Sequence, residues 1–254
     1  MTPTHAALGV VVGLAAGIMS GLFGVGGGII TTPAIQLLLG GAPYIAVGTP
    51  LPVIVPTALV GAYTYYRGGE LSMRAAGWAA GPGVAGAVGG AWLTSRVNPH
   101  WLLLVTAVLI GWQAVGIARG RRHAIRPRGS TPGAAYATVG LITGFVSGFL
   151  GVGGGIVFVP LVTVLGMPLK RALGTSLMVI ATVAVPGTVV HAALGHIDWA
   201  IFLALLVGVM PGARLGATIA LGARERTLRL LVASFLMVVA VGYGAVEVSH
   251  LLRA

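Results

Sequence analysis

Apolar residues occur in long unbroken blocks along this chain, and polar residues collect in the short stretches between them. Six blocks are clear, at 45–66, 75–94, 100–118, 172–194, 200–221 and 230–248. Each suffices to cross a bilayer as a helix, which takes about 20 apolar residues for a core ~30 Å thick. Two further segments, 5–39 and 131–165, are too long for one crossing and are interrupted by glycine. No segment alternates apolar and polar over the ten or so positions that a membrane β-strand needs. The pattern predicts an all-α, polytopic integral membrane protein.

The same pattern is written twice. Residues 13–37 align with 140–164, and Gly13, Gly17, Gly21, Gly24 and Pro33 meet Gly140, Gly144, Gly148, Gly151 and Pro160. One residue shorter in offset, Ala46, Gly48, Thr49 and Leu51 meet Ala172, Gly174, Thr175 and Leu177. Self-similarity on this scale marks two copies of one structural unit. Residues 1–118 and 132–254 form the two transmembrane repeats. The segment 119–131 is polar, basic and proline-bearing, as a linker should be.

Composition changes this picture little. The chain is 57% hydrophobic and 7% charged, against about 25% charged in soluble domains. Its net charge of +11 fits the enrichment of Lys and Arg in cytoplasmic loops better than nucleic-acid binding. With no cysteine, disulfides, thiolate metal sites and thiol nucleophiles are excluded. No cofactor motif and no metal-ligand spacing is present, and no residue set supports an enzyme.

Charge also orients the repeats. If 5–39 and 131–165 each cross once, the copies are parallel, with eight basic residues inside and six outside. If each is a hairpin turning at its glycines, the copies are inverted, with five segments apiece. Then twelve basic residues lie inside and two, Arg96 and Arg253, outside, with Arg214 left in the membrane. The stronger bias selects inverted repeats with a cytoplasmic linker.

The glycine runs are the main candidate chemistry. Gly13, Gly17 and Gly21 are four apart and share a helix face, which suits close packing in lipid. Gly24, Gly26, Gly27 and Gly28, with their mates Gly151, Gly153, Gly154 and Gly155, are too dense for a helix interior. A dinucleotide loop would need an acidic residue about 20 positions on, and none comes before Glu70. An unwound turn in a membrane must be buried in protein or line a cavity. Duplicated breaks in matching halves point to a transporter's substrate site. The helices resuming after each turn would aim N–H groups at an anion. A purely structural hairpin tip is the other reading.

A second pair of breaks is expected at Gly48-Thr49-Pro50-Leu51-Pro52 and Gly174-Thr175-Ser176-Leu177. There Thr49, Thr175 and Ser176 either contact substrate or bond the carbonyl one turn back. Arg214 falls well inside the 200–221 block. It either binds the anion with its planar fork or snorkels to the helix end. His191 and Glu247 are candidates for proton coupling, though a capping or packing role also suits His191. Tyr63, Tyr65 and Tyr66 with Arg67 look like an interfacial belt.

The duplicated motif GxxSGxxGVGGG, with Pro33 or Pro160 five residues on, resembles the sulfite exporter TauE/SafE family. So do Ala172–Leu177, which reads Ala-x-Gly-Thr-Ser-Leu, and the Gly-Ala-Arg-Leu-Gly around Arg214. Pro50 departs from the serine usual there, which weakens a hydroxyl ligand in the first copy. The resemblance covers nearly the whole chain. It implies transport, often export, of small sulfur-containing anions such as sulfite or sulfoacetate across the inner membrane. The expected partners are that anion and the bilayer, with no nucleic acid, and a homodimer is left open. An anion channel and a non-transporting scaffold or receptor are the alternatives.

Overall fold

The structure is a computed structural model that describes residues 3–40, 43–94, 111, 114–115, 132–150 and 154–251. The linker and most of the 100–118 block lie outside the described residues. In chain order the helices are α1 (Pro3–Phe23), α2 (Gly28–Leu37), α3 (Pro43–Gly48), α4 (Pro50–Arg67) and α5 (Met73–Thr94). After the linker come α6 (Gly133–Leu150), α7 (Gly155–Val164), α8 (Leu169–Ala193), α9 (Trp199–Gly222) and α10 (Glu225–Leu251). The described chain is helical, and Thr4–Phe23, Leu169–Ala193 and Trp199–Gly222 are long and apolar enough to cross a membrane.

The glycine-bearing segments are hairpins of unequal arms. α1 has 21 residues and α6 has 18, but α2 and α7 have ten each. Ten residues of helix span about 15 Å, half of a bilayer core. The returning arms are therefore half-helices and do not cross.

The expected pair of second breaks holds in one copy only. Thr49 separates α3 from α4, where Pro50 and Pro52 lack N–H groups to continue the ladder. α8 runs unbroken through Gly174-Thr175-Ser176, because no proline interrupts it there. The expected interruption in the second copy is thus a continuous helix.

Close packing follows the glycine stripes, and it joins one half of the chain to the other. Gly13, Gly17 and Gly21 lie on the backbone of α9 at Leu205, Val209 and Ala213. Gly208, Gly212 and Gly216 return the contact at Val10, Leu14 and Ile18. Residue numbers rise together, so α1 and α9 are parallel. α5 and α6 repeat the arrangement, with Gly140, Gly144 and Gly148 on Ala79, Gly83 and Ala87. Between these two pairs lie α4 and α8. Gly61 meets Leu177, and Gly187 meets Leu51, so these two helices are antiparallel.

The opposite faces are apolar and exposed. On α9 they carry Leu203, Val207, Met210, Leu215 and Ile219. A helix that is hydrophobic all round suits a protein core on one side and lipid on the other. The described basic residues Arg67, Arg74, Lys170, Arg171, Arg224, Arg226 and Arg229 gather at one end of the bundle. There the Lys170 ammonium donates to the Leu221 carbonyl at the end of α9.

Candidate functional site

The first glycine turn begins where α1 stops. The Gly24 N–H still closes on the Ser20 carbonyl at 2.8 Å. Then Gly24, Gly26 and Gly27 adopt φ of 68°, 83° and 82°. Left-handed backbone costs roughly 1–2 kcal/mol for a residue with a Cβ, so glycine fills these positions. The N–H groups of Ile30 and Thr31 fold back onto the Gly27 carbonyl, at 3.0 and 3.1 Å. Those of Gly28 and Ile29 head α2 and have no carbonyl within the helix to accept them. The second half-helix starts with the same bonding, the Val157 and Phe158 N–H groups donating to the Gly154 carbonyl at 3.1 and 3.0 Å, although Gly154 is right-handed at φ −65° where Gly27 is left-handed. Gly151 and Gly153 lie outside the described residues.

The two turns meet. A Cβ placed on Gly155 would fall against the Gly24 carbonyl and the Val25 Cα. Ser176, fully buried, donates its hydroxyl to that same Gly24 carbonyl at 2.9 Å. Ile54 and Ile180, repeat mates on α4 and α8, close over Gly26 from both sides. Gly24, Gly26, Gly27, Gly28, Gly154, Gly155 and Ser176 are thus brought together in the middle of the bundle.

Two hydroxyls beside this junction lack partners. Ser20 Oγ and Thr143 Oγ1 are buried, at 0% and 1% residue exposure, and neither has a hydrogen-bond partner among the described residues. Ser20 Cβ lies 3.6 Å from where a Gly27 Cβ would stand, and Thr143 crowds the corresponding position of Gly154. The residue that carries each orphan hydroxyl therefore sits beside the head of its own half-helix, Ser20 through its Cβ and Thr143 through its methyl group. An unpaired buried polar group costs about 1–3 kcal/mol. Buried polar groups nearly always have a partner, so these two call for one. Sequence reasoning passed over both. The available signal was Ser20 itself, a polar residue set between packing glycines at the spacing GxxSG.

Thr49 and Thr175 do something else. Thr49 Oγ1 accepts the Asp198 N–H at 3.0 Å, and Thr175 Oγ1 accepts the Ser72 N–H at 3.1 Å. Asp198 and Ser72 are repeat mates, and each caps a helix: Asp198 the start of α9, Ser72 the start of α5. Gly48 packs on the His196 carbonyl and Gly174 on the Glu70 carbonyl. Each Gly-Thr pair thus latches one half of the chain onto the loop of the other. Thr175 also donates to the Arg171 carbonyl at 2.7 Å.

Other candidates lie away from the turns. Arg214 is on the exposed face of α9, opposite the glycine stripe. His191 lies toward the far end of α8, with its Nδ1 buried and unpartnered among the described residues and its ring 5.4 Å from that of His196. Glu247 belongs to α10, but its side chain lies outside the described residues. The tyrosine belt is also divided. Tyr63 and Tyr66 are exposed, whereas Tyr65 is fully buried and donates its hydroxyl to the Gly21 carbonyl at 3.0 Å. Tyr65 therefore supports the end of α1 just before the turn.

Comparison with known proteins agrees with this architecture. The model of the family described as sulfite exporter TauE/SafE matches residues 9–243. A probable membrane transporter protein of Bacillus subtilis (strain 168), YunE, is 30% identical over 263 residues, covering 91% of this chain and 94% of the relative. One from Xylella fastidiosa (strain 9a5c) is 30% identical over 212 residues, 80% of each chain. One from Methanocaldococcus jannaschii is 24% identical over 253 residues, covering 89% of this chain and 91% of its own. No solved structure matches. A multi-pass helical bundle with two glycine turns meeting at its centre, matched along nearly its whole length, belongs to the sulfite exporter TauE/SafE family of membrane transporters.

Proposed function

We propose that this membrane transporter is a secondary exporter of small sulfur-containing anions, such as sulfite or an organosulfonate, across the inner membrane. One observation supports the reading: two half-helix heads meet in the bundle, each beside a residue, Ser20 or Thr143, whose buried hydroxyl has no partner among the described residues. Helix heads attract anions through their free N–H groups and dipole. The hydroxyls of Ser20 and Thr143 would complete the coordination, and Gly151 and Gly153 belong to the same motif.

Alternating access follows from inverted halves. The antiparallel run of the repeat mates α4 and α8 supports inversion, as does the gathering of basic residues at one end. The Gly-Thr latches would act as pivots between halves. Outward movement of an anion is driven by an inside-negative potential, worth about 2.3 kcal/mol per charge per 100 mV. No ATP is required.

The test is purified protein in liposomes under imposed potentials and pH gradients, comparing sulfite, sulfate, sulfoacetate and taurine. Saturable flux of at least one sulfur anion above that of empty vesicles is expected. Flux that rises linearly with concentration indicates a channel, and no anion flux at all rejects the proposal.

A further inference from the structure

We infer that the outer face of α9 holds one anionic phospholipid from the leaflet on the basic side of the bundle, with its phosphate on Arg214. This site stands apart from the glycine turns and does not depend on what they carry.

Arg214 places a charge where the membrane interior is expected. Trp199, exposed at the start of α9, suits one membrane interface, and the basic end of the bundle marks the other. From Trp199 to Arg214 the helix rises about 22 Å, within a hydrocarbon core ~30 Å thick. Gly222, the last residue of α9, lies about 12 Å further on. Side chains tilt toward the N-terminus of their helix, so Arg214 leaves the backbone directed away from the basic end. Snorkelling to that end therefore works against the backbone. Arg214 is exposed, and its guanidinium has no hydrogen bond or ion pair among the described residues. A charged side chain at this depth is costly unless it is paired. Its counter-charge has to come from the lipid side.

The face around Arg214 has the profile of a lipid. Leu203, Val207, Met210, Arg214, Thr218 and Gly222 follow at steps of three or four residues and form one exposed stripe. Up to Met210 the stripe is apolar, and from Arg214 onward it is polar or small. Leu203 to Arg214 spans about 16 Å, close to the hydrocarbon depth of one leaflet. Thr218 donates its hydroxyl to the Arg214 carbonyl at 2.8 Å, so it stays close to the helix. A Cβ on Gly222 would meet nothing within 4 Å. The stripe is thus apolar where acyl chains would lie and shallow where a headgroup would reach down to Arg214.

Charge selects the lipid and disfavours a second copy. A planar guanidinium holds a phosphate through two parallel N–H donors. Just past α9, Arg224 and Arg226 are exposed, while Glu225 between them is bonded to Arg229 at 2.7 Å. A headgroup carrying an amine would meet these arginines, whereas one without a cation is free of that repulsion. A second copy packed α9 against α9 about a two-fold axis along the membrane normal would bring Arg214 onto Arg214. The described acids, Glu70, Asp198 and Glu225, lie in loops or at helix starts, away from this depth.

The experiment is native mass spectrometry of the full chain released from detergent, titrated with phosphatidylglycerol and, separately, with phosphatidylcholine. Wild type should retain one phosphatidylglycerol, with phosphatidylcholine binding about tenfold more weakly. Arg214→Gln should raise the half-saturating phosphatidylglycerol concentration about tenfold, as loss of charge-assisted hydrogen bonds does. Thr218→Leu crowds the headgroup without changing charge and should weaken binding in the same direction. Both residues are exposed, so both variants should elute as wild type on size exclusion. Arg74→Gln removes a charge from the basic end on α5 and should change binding by less than about twofold. Equal losses in Arg214→Gln and Arg74→Gln mean diffuse attraction to positive charge and overturn the inference. So do absence of phosphatidylglycerol binding, equal affinity for the two lipids, or unchanged binding in both Arg214→Gln and Thr218→Leu. A dimer mass that Arg214→Gln abolishes would place a second copy on the face and overturn it as well.

Discussion

A threonine hydroxyl in a membrane helix has one bond to give and two to accept, and its role depends on where its neighbours come from. Thr49 and Thr175 find theirs 149 and 103 residues away, in the opposite half of the chain. Nothing local announces this, which is why spacing alone left their role open. The geometry predicts that Thr49→Val and Thr175→Val each lower stability by about 1–3 kcal/mol, by stranding the Asp198 or Ser72 N–H. Serine at either position should restore most of it, and the anion half-saturation of folded protein should stay near wild type. Melting in detergent and flux in vesicles measure the two effects separately. Tyr65→Phe should likewise cost about 1–3 kcal/mol, because the Gly21 carbonyl loses its partner. Exposed Tyr63→Phe serves as the silent control. Arg214 was legible after all. It stands two residues from both Gly212 and Gly216, and two residues turn a helix by about 200°. The packing stripe on one face therefore placed Arg214 on the other.

At the scale of elements, glycine carries two different instructions, and the sequence distinguishes them. Glycines four apart make stripes that bring parallel helices into backbone contact, while consecutive glycines unwind the chain. The hairpins were legible for that reason. Their unequal arms were less so, because apolar residues continue past α2 and α7 and do not mark where each half-helix ends. The continuity of α8 shows the limit from the other side: Gly174 looks like a break but is packing space for Tyr65 and the Glu70 carbonyl. These readings give contrasting outcomes for one substitution. Gly144→Ala would push a methyl into the Gly83 carbonyl, so it should sharply reduce folded protein on size exclusion. Gly89→Ala meets nothing within 4 Å and should be neutral, or stabilise by up to ~1 kcal/mol.

For the whole molecule, the exchanged pairing is the feature that matters. α1 of the first half packs on α9 of the second, and α6 of the second packs on α5 of the first. The long arm of each hairpin packs on a helix of the other half, and the Gly24 and Gly155 ends of the two hairpins meet. Internal duplication made this arrangement thinkable from sequence, but which half each stripe packs against is decided by long-range contacts that no local pattern encodes. The proposed inversion of the halves, with the basic end cytoplasmic, predicts that a single cysteine at Lys170 reacts with an impermeant thiol reagent only from the cytoplasmic side. Reaction from outside would reverse the assignment of the basic end.

The central claim is that one anion is held by both helix heads at once. Its most direct measurement is the amide resonance of glycine in detergent-solubilised, 15N-glycine-labelled protein during titration with methanesulfonate. Gly28, beside the first turn, and Gly155, at the second, should shift together with a single dissociation constant. Shifts confined to one turn, or to the neighbourhood of Arg214, would contradict a shared site.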